Sequence, residues 1–74
     1  MTMKEKLTTY FKTEYNLTRN AILGEDNPIR RFHLIDFAIQ RCLGACQFAD
    51  VMGADFAEVE TIYNEWKERL ESLA

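Results

Sequence analysis

The chain has 74 residues, so it holds one domain, and 47% hydrophobic with 12% aromatic content excludes a disordered segment. A net charge of −3 excludes an overall basic field of the kind that draws in nucleic acid or an anionic membrane. A domain this small buries only about 60% of the surface its unfolded chain exposes, so its core is marginal and a second subunit is a common remedy.

In chain order, Thr2-Met3-Lys4-Glu5 has the form of a capping box. Met3, Leu7, Tyr10 and Phe11 follow at helical spacing, which predicts helix 1 over residues 3–15. The N-terminal sequence MTMKEKLTTYFK has neither the apolar run nor the cleavage site of a secretory signal. The expected setting is therefore the cytoplasm, with reduced thiols. Residues 16–27 read as a linker, with one extra short turn from Thr18 to Leu23 closed by Gly24. Asn27-Pro28 is a strong start signal, and helix 2 is predicted over 28–52 with Gly53 as its stop. Asp55 and Glu58 form another capping pattern, which predicts helix 3 over 56–73. The fold class expected is all-α, a three-helix antiparallel bundle with a long central helix.

The helices differ in patterning. Helix 3 carries Phe56, Val59, Tyr63, Trp66, Leu70 and Leu73 at alternating spacings of three and four, which predicts a core seam. Helix 2 has one narrow polar stripe, His33, Asp36, Gln40, Gly44 and Gln47, and is apolar almost everywhere else. A helix apolar on most sides has to be covered on most sides. Helices 1 and 3 supply two flanks, and a second copy of the chain is the simplest further cover. In a monomer, Leu17 to Leu23 would have to fill the remaining groove.

Cys42 and Cys46, the only cysteines, stand four apart within helix 2. Their Cβ atoms are then about 5–6 Å apart, too far for a disulfide, which needs about 3.8 Å. His33, the single histidine, lies about 13–14 Å away along the helix axis and cannot share a metal with them. A two-fold pair of chains would bring four thiols together, but structural zinc sites place their cysteines on loops or knuckles. No metal or other cofactor is expected. Ala38, Cys42, Ala45 and Ala49, flanked by Gly44 and Cys46, instead form a stripe of small residues that marks a close helix crossing, inside the chain or across a dimer.

Phe48 to Ile62 resembles the helix-turn-helix DNA-binding motif, with Ala49 four before the turn glycine Gly53 and Val59 and Ile62 six and nine after it. The resemblance implies a DNA-binding regulator. Its would-be recognition helix, however, presents Asp55, Glu58, Glu60, Thr61 and Asn64, and carboxylates repel phosphates. Phosphate contacts would then fall to Lys4, Lys6 and Lys12. Nucleic acid is the disfavoured partner, and Phe32 to Met52 is too broken by polar residues to span a membrane.

Arg30 and Arg31 oppose the dipole at the start of helix 2, so each is expected to have a partner, such as Glu65, Glu68 or Glu71, or an outside protein. Trp66 is a further candidate anchor for a partner. With one histidine, no phosphate-binding glycine loop and no nucleophile–base spacing, catalysis is not expected. The function the sequence favours is a small non-enzymatic interaction or assembly protein that works as a homodimer.

Overall fold

The computed structural model describes all 74 residues as three α-helices: α1 (Met3–Leu23), α2 (Pro28–Val51) and α3 (Phe56–Glu71). There are no strands, and each helix packs on the other two. The longest dimension, 41 Å, is set by α2, whose 24 residues rise about 36 Å.

The helix starts follow from local chemistry. Thr2 accepts from Glu5 N at 3.1 Å while Glu5 Oε1 accepts from Thr2 N at 3.2 Å, a complete capping box. Asn27 Oδ1 accepts from Ile29 N at 2.9 Å, and Pro28 takes the first position of α2, where no N–H is needed. Asp55 Oδ1 accepts from Glu58 N at 3.1 Å. Between α2 and α3 the backbone forms a Schellman turn. Gly53 N donates to Asp50 O and Ala54 N to Ala49 O, both at 3.0 Å, with Gly53 at φ +89°.

One expected boundary is wrong. Residues 16–23 are neither a linker nor a separate turn; they continue α1 to Leu23, where Gly24 closes it. The physical reason is that the core spacing does not stop at residue 15. Phe11, Thr18 and Ile22 are all buried and Tyr15 is half-buried, so one face carries 4, 3, 4 spacing through the supposed linker. Thr18 hides the pattern because a polar residue fills a core position.

The core takes Leu7, Phe11 and Ile22 from α1, and Ile35, Ala38, Ile39, Cys42, Cys46 and Ala49 from α2. From α3 it takes Val59, Ile62, Trp66 and Leu70. The expected seam of α3 is therefore shifted: Ile62 is buried, Tyr63 and Leu73 are half-buried, and Phe56 is 64% exposed. Spacings of 3, 4 and 4 fit a helix that stays straight, whereas a strict 3, 4 alternation belongs to a supercoil.

Candidate protein-interaction surface

Burying one face of α2 leaves the opposite face uncovered. Ile29, Phe32, Phe37, Phe48, Val51 and Met52 are all exposed, from 55% at Phe37 to 84% at Val51. Leu17 stands beside Phe37 on a cavity of about 220 Å³ between α1 and α2, but Leu17 and Leu23 are exposed themselves and leave the rest of the face open. Phe37, Gly44, Phe48 and Val51 are spaced 7, 4 and 3, so they lie on one side of the helix. His33 continues the row toward the N-terminus, edge-on to Phe32 at 6.1 Å and to Phe37 at 6.0 Å between ring centroids. The polar stripe Gln40, Gly44 and Gln47 thus faces outward, with large apolar side chains beside it.

Gly44 is the unusual member of this row. It sits in mid-helix, exposed, and a Cβ placed there would meet nothing within 4 Å. A helix-interior glycine is about 0.5–1 kcal/mol less stable than alanine. No close approach inside the chain accounts for that loss. Between Phe37 and Phe48, the missing side chain of Gly44 leaves a notch in this row.

The small-residue stripe is used from within. Ala38, Cys42, Cys46 and Ala49 are buried and Ala45 is half-buried, all by this chain's own helices. The helix that comes close there belongs to the same chain. Burial, reinforced by the nearby Glu14 carboxylate and Cys46, pushes the Cys42 thiol up to about 12. Burial alone pushes Cys46 up to about 11. Both are free thiols, protonated at neutral pH and packed as small apolar groups, which is the reverse of what a nucleophile or a metal ligand requires. No three His, Cys, Asp or Glu side chains are grouped to hold a metal ion.

Trp66 is likewise occupied. It is 7% exposed, meets the edge of Tyr15 at 6.0 Å between centroids, and carries the Arg69 guanidinium 4.4 Å above its ring. It is a core residue, not a presented anchor. Arg30 is exposed, and its nearest carboxylate is Glu25 at 4.0 Å rather than any acid of α3. Arg31 is half-buried with no carboxylate within 4.0 Å. Of the acids expected to serve the arginines, Glu65 is instead paired with Arg69 at 2.8 Å. Of the expected anchor residues, then, Arg30 is exposed, Arg31 half-buried and Trp66 buried. The residues that sequence reasoning passed over are Phe37 and Phe48. Their eleven-residue separation repeats one helix face and was the available signal.

No helix is long and apolar enough to cross a membrane. Compared with protein-family models, with curated proteins and with solved structures, the chain matches none.

Proposed function

We propose that this chain is a non-enzymatic protein–protein interaction module that works as a homodimer, joined through the outward face of α2. The observation that carries the reading is Gly44, an exposed mid-helix glycine with no neighbour in its own chain, set between exposed Phe37 and Phe48. In a two-fold pair, α2 would cross its copy at the notch, and each Phe contact with the partner helix would occur twice, once from each copy. An interface of ordinary size takes about 800 Å² from each partner, roughly a sixth of the 5130 Å² this chain exposes. The cytoplasm, the setting expected from the sequence, belongs to the same proposal.

The surface gives the DNA-binding alternative little support. Asp55 at the N-cap of α3 and Glu58, Glu60, Thr61 and Asn64 on the helix are all exposed, where a recognition helix would need cations. The test of the proposal is molar mass in solution for the wild type and for Phe37→Glu/Phe48→Glu. Both sites are exposed in the monomer, so the variant keeps its fold and loses the dimer. A wild type that is monomeric at all concentrations would sink the dimer reading.

A further inference from the structure

On its other shoulder, toward α3, α2 borders a groove of different chemistry. Two cavities of about 400 and about 290 Å³ lie end to end along the α2–α3 seam, and Tyr63 lines both. Ile35 and Ile39 line the first, and Leu43, Cys46 and Val59 line the second. The exposed rings of Phe32 and Phe56 stand one in each. From Phe32 to Asp50 the groove follows α2 for about 27 Å, or about five helical turns.

Asp36 and Glu71 flank the first cavity, and Asp50 and Glu60 the second, against the single cation Lys67. None of these carboxylates takes part in any of the chain's ion pairs, which join Arg30 to Glu25, Arg41 to Glu14 and Arg69 to Glu65. An apolar trough with unpaired acids along both edges is therefore open on this face.

We infer that this groove seats an amphipathic helix of a partner protein, with an apolar stripe on the trough and Lys or Arg on its flanks. The walls are helices, whose backbone groups are already paired, so an extended segment would find no ladder to join; a helix brings its own hydrogen bonds. The excess of carboxylates selects basic flanks. A second copy of this chain fits poorly. The apolar stripe of α1 is buried in its own core and α3 is acidic. The arginines beside the free face of α2, Arg30 and Arg41, already face Glu25 and Glu14. The inference rests on the interaction-module reading but not on the dimer.

The experiment is a titration of the isotope-labelled full chain with an amphipathic Leu/Lys helical peptide of about 18 residues, long enough to fill the groove. A peptide of the same composition in scrambled order is the control. The expected result is saturable amide shifts at Leu43, Gln47, Tyr63 and Lys67. Glu60→Lys should weaken binding on the order of tenfold, and Glu68→Lys, on the same helix but outside the groove, by less than about twofold. Equal binding of the scrambled peptide, or equal loss from both substitutions, would mean attraction by net charge alone and would overturn the inference. Peptide binding that splits a dimer into monomers would make a second copy the groove's occupant, which also overturns it. Molar mass without peptide tests the dimer separately, so the two readings can fail independently.

Discussion

Glu14 Oε2 accepts from Arg41 Nε at 2.9 Å and lies 2.9 Å from Arg41 Nη2, tying the middle of α1 to the middle of α2 across 27 residues of sequence. The pair is asymmetric: the Glu14 side chain is 12% exposed and that of Arg41 51%. The hydrogen bond to Glu14 raises the pKa of the guanidinium, which strengthens its hold as a fixed cation. Removing Arg41 leaves a mostly buried carboxylate without its partner. Arg41→Ala should therefore destabilise the fold by about 1–3 kcal/mol, and Glu14→Gln by less, because the amide still accepts a hydrogen bond. Urea unfolding of both variants and their double mutant checks this. Additive losses would show that the two residues do not act as a pair.

Truncating Trp66 should remove the fold rather than a binding function. Phe/Trp→Ala in a core costs about 3–5 kcal/mol, comparable to the whole stability of a domain this size. Circular dichroism of Trp66→Ala should show a largely unfolded chain at 37 °C. A folded variant that had lost only self-association would put Trp66 at an interface instead.

Gly53 and Gly44 should respond to alanine in opposite directions. Gly53 holds φ +89°, a left-handed conformation, so Gly53→Ala should lower stability by about 1–2 kcal/mol. Gly44 is open and helical, so Gly44→Ala should raise the stability of the monomer by about 0.5–1 kcal/mol. Thermal unfolding at concentrations low enough to keep the chain monomeric reads both.

Stability should fall as pH rises above about 9. Cys42 and Cys46 ionise from 9.0 when unexposed to the fold, but only near about 12 and about 11 within it. Between those values the unfolded chain releases protons that the folded chain retains, so alkali favours unfolding; below 9 the thiols make no pH-dependent contribution. Cys42→Ala/Cys46→Ala should show a flatter loss of stability between about pH 9 and pH 11 than the wild type. An unchanged slope would place the titrating groups elsewhere.

Much of the fold was legible because its helix ends are written locally. Thr2 with Glu5, Asn27 with Pro28, and Gly53 each act where they stand and need no tertiary context. Thr18 misled because its hydroxyl suits a cap, while its actual place, 4% exposed, depends on the helices packed around it. The stripe from Ala38 to Ala49 announced a close helix crossing. Whether the neighbour is internal depends on the length of α1, which runs eight residues past residue 15 to Leu23. Trp66 shows the same limit in reverse. Its spacing placed it on a seam, and only packing against Tyr15 and Arg69 decides that it is covered.

The central claim, that two copies meet at the Gly44 notch, is tested most directly by light scattering on the wild type and Gly44→Ala across a wide concentration range. The wild type is expected at twice 8.7 kDa, and Gly44→Ala at a mass shifted toward 8.7 kDa despite a more stable monomer. A wild type that stays at 8.7 kDa throughout, or a Gly44→Ala dimer as tight as the wild type, would contradict it.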